Sequence, residues 1–477
     1  MQVEFTMYMQ ERTGDYFEDK EMESSVKRYE AMKKSGVFAY FDVEDIENVI
    51  NFYIDKNLLN SAHEACVSGL SIHPTSSELK LKNAQILVGK GKAKEGLHWL
   101  NKVKELSNGN HEYLLTKGMA MLLLDFVDKS EFYFNTALNL VSDNEKENIL
   151  YNIGDALENI GNYTIAIKYY ILGSKLNPEN EEFYFRLGFC FDRTGNYEKS
   201  IYYYQKYLDA DPFSENVWYN IGIIYNKTED YKNAIDAYEY AIAIDNNHHD
   251  ALFNKANALA NSEMHNEAIK AYYEYLNVNG DSLTAKYYIG ECHIQLKNYD
   301  KALQLFDSII KIDSDFSEAY YGKAMVFDEQ GNFDEALTNY KKTIHLDKEN
   351  TDAWFSLGNL YLKLKQLTKA AKSFNNTIFY NKFDIEAWIL IADTYSKLNN
   401  IKKSIEMLIE AIEYMPDDPY LTYALSAYYL KSGNLKTGLK WFKNAFELNE
   451  HDYEIVFKIY PEAEKNKDIL TLINKTK

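Results

Sequence analysis

The feature that most restricts what this chain can fold into is a period. WYNIGIIYNKTEDYKNAIDAYEYAIAID from Trp218, WFSLGNLYLKLKQLTKAAKSFNNTIFYN from Trp354 and WILIADTYSKLNNIKKSIEMLIEAIEYM from Trp388 align without a gap. The last two begin 34 residues apart, and the first begins 136 residues, four such periods, before the second. Extending the frame places unit starts at Val43, Ser77, His111, Glu147, Glu181, Glu215, His249, Leu283, Ser317, Thr351, Ile385 and Pro419, with a two-residue insertion near Asn144. Twelve units then fill residues 43–452. A repeat of this length is one supersecondary unit that cannot bury its own apolar side and must stack on its neighbours.

One physical requirement recurs at fixed columns. The eighth position of the units is small in all but the first, as at Gly154, Gly188, Gly222 and Ala256, and the twentieth is small throughout, as at Ala166, Ser200, Ala234 and Ala302. Small residues in each half of the unit let two helices approach closely. The twenty-fourth column supplies the large partner, with Phe134, Tyr170, Tyr204, Tyr238, Tyr272, Phe306, Tyr340, Phe374 and Phe442. These are knobs for the neighbouring helix. Apolar residues within each half fall at helical spacing, for example Trp218, Ile221, Gly222 and Tyr225, then Ala234, Ile235, Tyr238, Ala241 and Ile242. Between the halves stand Gly161-Asn162, Gly195-Asn196, Gly331-Asn332 and Gly433-Asn434, suited to a positive φ at a helix C-terminus. Pro74, Pro178, Pro212 and Pro416 at the thirty-second column stop the second helix without breaking it. The chain is expected to be all-α, without a sheet.

Small-8, large-11, small-20, aromatic-24 and Pro-32 in this register resemble the tetratricopeptide repeat. The resemblance implies a right-handed α-solenoid, a superhelix of antiparallel helix pairs whose first helices line a concave groove and whose second helices form the back. Both ends of such a stack need covers. Residues 1–42 supply one candidate, a helix through Met22, Val26, Tyr29 and Met32 that ends at Gly36, then an apolar strip from Val37 to Phe41 and Asp42 as the next N-cap. Residues 453–477 supply the other, with Pro461 interrupting before Ile469, Leu470, Leu472 and Ile473.

Composition narrows the function classes. Lys+Arg 52 against Asp+Glu 72 leaves a formal charge of −20, which repels a phosphate backbone, so nucleic acid is not an expected partner. The charge is uneven. Residues 43–350 hold 29 basic and 47 acidic residues, net −18, whereas 351–477 hold 17 and 16, net +1. An electrostatic partner of the first nine units is expected to be basic; solubility alone also accounts for such acidity. Cys66, Cys190 and Cys292 show no paired spacing, so reduced thiols and a cytoplasmic location are expected, with no disulfide framework and no zinc knuckle. The first residues lack a basic stretch followed by an apolar run, and no segment approaches a membrane span.

No phosphate-cradling glycine loop, zinc-protease motif or nucleophile elbow occurs, so neither catalysis nor a cofactor is expected. His248-His249 with Asp250 could hold a metal only with a further ligand, and His293 is read as a core residue. What remains is the face that the resemblance turns inward, at columns two, five, nine, twelve and thirteen. Column five is an aromatic ladder through Tyr151, Phe185, Tyr219, Phe253 and Tyr287, which either packs on the next unit or offers ring edges to a ligand. Asn152, Asn220 and Asn254 at column six, and Asp155, Asn257 and Glu291 at column nine, add amides and acids. These resemble the asparagine ladder with which some superhelices of the family grip a peptide backbone, here interrupted by Arg186, Tyr288, Gly322, Ser356 and Leu390. Arg186 is the one basic residue at columns two, five, six and nine besides Lys82, so a carboxylate clamp for acidic C-termini is not expected. The expected function is a non-enzymatic scaffold holding protein or peptide segments, basic or aromatic, in the groove. A targeting subunit of a separate enzyme and a binder of carbohydrate through the ladder are the alternatives.

Overall fold

The computed structural model describes residues 16–37 and 39–474, and among them every regular element is a helix. They divide into two compact bodies, residues 1–246 and 247–477. Each is an α-solenoid segment built from consecutive helix pairs. First helices begin at Val43, Ser77, His111, Asp143, Glu182, Glu215, His249, Leu283, Ser317, Thr351, Ile385 and Pro419. Most coincide with the starts of the sequence period. Glu182 falls one residue after its frame start, and Asp143 lies one turn ahead of Glu147: Ser142 and Glu145 form a capping box there, so the helix absorbs the two-residue insertion by starting early.

Short polar side chains cap the N-termini of many of the helices. The side chains of Asn110, Ser282, Asn350, Asp384 and Asp418 accept from the backbone N–H three residues on and start first helices. Asn162, Asn196, Asp230, Asn400 and Asn434 do the same for second helices. Each such cap contributes about 1 kcal/mol. The residue before that second cap, at column fifteen, has a positive φ in every unit. Five of these are glycines, including Gly161 at +79° and Gly195 at +76°; the others include Asp125, Glu229, Glu263, Lys297 and Lys365 at +57° to +63°. The reversal therefore holds its left-handed geometry even where a side chain makes it costly.

The small eighth column sits against the aromatic column of the same pair. A Cβ added at Gly154, Gly188 or Gly222 would lie 2.4–2.6 Å from the ring of Tyr170, Tyr204 or Tyr238. Column twenty is fully buried, and at two of its three serines the hydroxyl crosses to the partner helix: Ser200 donates to the Gly188 carbonyl at 2.5 Å and Ser404 to that of Ala392 at 2.7 Å, whereas Ser130 donates to the Val127 carbonyl of its own helix at 2.7 Å. A second recurrent contact locks successive units. The indole N–H of Trp218, Trp354 and Trp388 donates to a carbonyl six residues earlier, at Pro212, Lys348 and Lys382, and the hydroxyls of Tyr184 and Tyr320 do likewise.

At the N-terminal end Val26 and Tyr29 of the helix Tyr16–Ser35 are buried against Phe41, Val49 and Tyr53, and Gly36 ends that helix at φ +68°. Asp42 caps the next helix, accepting from the Asp45 N–H at 2.8 Å. The strip from Val37 to Phe41 seals less than its composition suggests, because Val37 and Tyr40 are exposed and only Phe41 is fully buried. Phe38 and the side chain of Met22 lie outside the described residues, as do residues 1–15 and 475–477. At the other end Pro461 opens a short 3-10 turn, and Ile469 and Ile473 of the helix Lys467–Asn474 join a cluster with Tyr423, Phe442 and Val456. No helix among the described residues is long and apolar enough to cross a membrane.

Candidate partner-binding face

Column five of the first helices is a ring ladder in both bodies, packed in a way the sequence left open. Each ring lies on the column-24 ring of its own pair. In the first body the pairs are Tyr151–Tyr170, Phe185–Tyr204 and Tyr219–Tyr238; in the second they include Phe253–Tyr272, Tyr287–Phe306 and Tyr321–Tyr340, with centroids 5.8–6.1 Å apart. Contact with the next unit is added at Tyr151–Phe183 and Phe253–Tyr288. Packing on the next unit is thus the lesser part of the ladder's role. Tyr151, Phe185, Tyr219 and Phe253 remain half-buried, whereas Tyr287 is buried.

On the first body, Arg186 interrupts the amides and gathers a network. Its Nη1 donates to Glu158 at 3.1 Å, its Nε to Glu182 at 3.0 Å, and its Nη2 to the Tyr151 hydroxyl at 2.8 Å. Glu158 also accepts from the Tyr170 hydroxyl at 2.9 Å. Burial raises the carboxyls of Glu158 and Asp155 above their ordinary values, with Arg186 pulling both back. Burial also opposes the charge on Arg186, but Tyr151 and Glu158 outweigh it and hold the guanidinium firmly protonated. The Tyr151 phenol is pushed up to about 12, chiefly by burial. Asp155 accepts from Asn159 at 3.0 Å, and Asn220 is hydrogen-bonded to the Tyr204 hydroxyl. The half-buried amide of Asn152 makes no side-chain hydrogen bond among the described residues.

On the second body, Asn257 accepts from the Tyr272 hydroxyl at 2.6 Å and Glu291 from that of Tyr287 at 2.7 Å. Burial raises the Glu291 carboxyl, and Asp352 raises it further. Asn254 is half-buried and also engaged. The residues singled out in the sequence did not include Glu158, at column twelve, or the hydroxyls of Tyr170 and Tyr272 that engage the acids and amides of this face. The available signal was an arginine four residues after Glu182.

The remaining candidates for chemistry are occupied with packing. His248 caps a helix through Nδ1, which accepts from the Ala251 N–H at 3.2 Å, and His293 is buried. All three cysteines are free and buried, with burial pushing Cys66 up to about 12 and Cys292 to about 11. Among the described residues no group of three or more His, Cys, Asp or Glu is placed to hold a metal ion.

Family models agree with this architecture. Models described as tetratricopeptide repeat match residues 151–215 and 385–418, a TPR repeat model matches 324–365, and one for subunit 3 of the anaphase-promoting complex, cyclosome, matches 227–309. The chain is a tetratricopeptide-repeat protein, a member of a class of protein-interaction scaffolds that are generally non-catalytic. Among solved structures, yeast Tom70 is 14% identical over 83% of this chain and 89% of its own, with a TM-score of 0.45. A tetratricopeptide repeat protein from Parabacteroides merdae ATCC 43184 is 18% identical over 51% of this chain and 97% of its own, with a TM-score of 0.42. The Cut9–Hcn1 hetero-tetramer of APC/C matches at 14% identity over 86% of this chain and 93% of its own, with a TM-score of 0.38. No curated protein matches the chain.

Proposed function

We propose that the protein is a non-enzymatic adaptor that holds a segment of a partner protein along the first-helix faces of its repeats. The observation that carries this reading is the half-buried row of rings and polar groups at columns five, six and nine: Tyr151, Asn152, Asp155, Phe185, Tyr219 and Asn220 on the first body, and Phe253, Asn254, Asn257 and Glu291 on the second. Rings supply apolar area at low entropy cost, and amides accept from and donate to an extended backbone. The excess of acid over residues 43–350 favours a basic segment, so affinity falls as salt is added.

Asn152 gives the cleanest test, since its side chain serves no internal hydrogen bond. Peptides enriched from a random library on the full chain should bind Asn152→Ala more weakly, at an unchanged melting temperature. If that substitution is silent while reversing Asp236 and Glu239 to Lys on an exposed second-helix face abolishes binding, the partner rides on the second helices instead.

A further inference from the structure

The first body already builds a cation site with its own residues. The Arg186 guanidinium lies 3.1 Å from Glu158 and 5.5 Å from the centroid of the Tyr151 ring, so the charge is shared between a half-buried carboxylate and an aromatic face. That arrangement suits a planar cation, which pairs with carboxylate oxygens and stacks on rings.

The second body sets out a matching acid and rings, and among the described residues no cation pairs with that acid. Glu291 stands one turn beyond Tyr287 and accepts a hydrogen bond from its hydroxyl, and the charged group acting on it is a further acid, Asp352. Lys286 and Lys323, the basic residues nearest in sequence on first helices, are paired with Asp281 and Asp307. The column that carries Arg186 in the first body carries Gly322 in the unit after Glu291, where even a Cβ would lie 2.4 Å from the Phe306 ring. The fold therefore denies Glu291 a basic side chain from that position. Around it, Tyr288 lies 5.5 Å from Tyr287 and stacks on Tyr272 at 5.9 Å with the planes 8° apart, while Tyr321 feels both Asp352 and Glu291.

We propose that Glu291, with Tyr287, Tyr288, Tyr321 and Asp352, is a subsite for one arginine side chain of a partner polypeptide, supplied in trans where Arg186 is supplied in cis. A carboxylate partly withdrawn from water gains most from a charge-assisted hydrogen bond, and ring faces add attraction for the same cation. An acidic side chain would be repelled by two carboxylates. This subsite rests on the reading that partner segments lie along the first-helix faces.

The test is selection of a random dodecapeptide library on the full chain, followed by fluorescence-anisotropy titration of the enriched, labelled peptides. These peptides should share an arginine at one position. Replacing that arginine by alanine, or Glu291 by Gln, should each weaken binding about tenfold or more, and both together no more than either alone. Glu291→Asp should fall between, and Glu410→Gln, on an exposed second-helix face, should be silent. Peptides that bind with no fixed basic position, or within twofold for Glu291→Gln, overturn the subsite. If those peptides still respond to Asn152→Ala or Tyr219→Ala, the broader face reading survives; if no peptide is enriched, both fail. A shared lysine in place of arginine overturns the planar-cation assignment.

Discussion

The two bodies are packed alike and charged differently. In both, a small eighth column receives the column-24 ring of the same pair, as Gly222 receives Tyr238 in one and Gly290 receives Phe306 in the other. On the first-helix face the likeness ends: Arg186 neutralises Glu158 and Glu182 in the first body, while Glu291 in the second has a tyrosine hydroxyl and a neighbouring acid. Columns between helices are held to one solution by the distance of closest approach. Columns on the open face are free to differ, and there the repeats acquire individuality.

The sharpest way to break this contrast is to remove the arginine. Arg186→Met should lower the stability of the first body by about 2–4 kcal/mol, because two partly buried carboxylates and the Tyr151 hydroxyl lose their shared partner. Urea unfolding would show it, and a shift under 0.5 kcal/mol would mean the network is ornamental.

Next in size is a control on the shared packing. Ala234→Trp in the first body and Ala302→Trp in the second, both fully buried, should each cost about 1–3 kcal/mol or more. Unequal costs would show that the two cores are less alike than their columns.

A pH series separates the faces again. Burial lifts the folded-state carboxyl of Glu291 above its ordinary 4.5, so the folded chain holds that proton more tightly than the unfolded chain. The resulting stabilisation is present below the unfolded value and is lost as pH rises through the raised folded value. Glu291→Gln should therefore flatten this fall and raise the melting temperature at neutral pH; a steeper fall in the variant would contradict the assignment.

The smallest effect is expected at the turns, and it should be the same in both bodies. Glu229→Gly and Lys365→Gly replace side chains held at φ +60° and +58°. Relief of the left-handed strain, less the added entropy of an unfolded glycine, should leave a gain of a few tenths to about 1 kcal/mol each. Gly195→Ala should cost about as much. Differential scanning calorimetry on each variant would resolve the sign.

Much of this was legible without coordinates. The period, two helices per unit, the small columns, Gly-Asn at the reversal and Asp42 as a cap all follow from side-chain size and local backbone preference, which act over a few residues and so leave a mark in the order of residues. Two local signals are incomplete in the sequence: Asn162 and Asn196 stand beside their glycines, but their work as caps of the second helix appears only in the hydrogen bonds they accept. Non-glycine residues such as Glu229 carry no warning of a positive φ, because the tight reversal of the helix pair imposes it.

The candidate face divides along the same line. The family resemblance supplied its columns, and the period carried them from unit to unit. Neither could say that the Phe185 ring lies on Tyr204, that Asn257 answers the Tyr272 hydroxyl, or that Arg186 is drawn to Glu158 in the preceding unit. Those choices turn on how far apart two helices stand, to within an ångström, and on which donor reaches a half-buried acceptor first. Such distances exist only once the units have stacked.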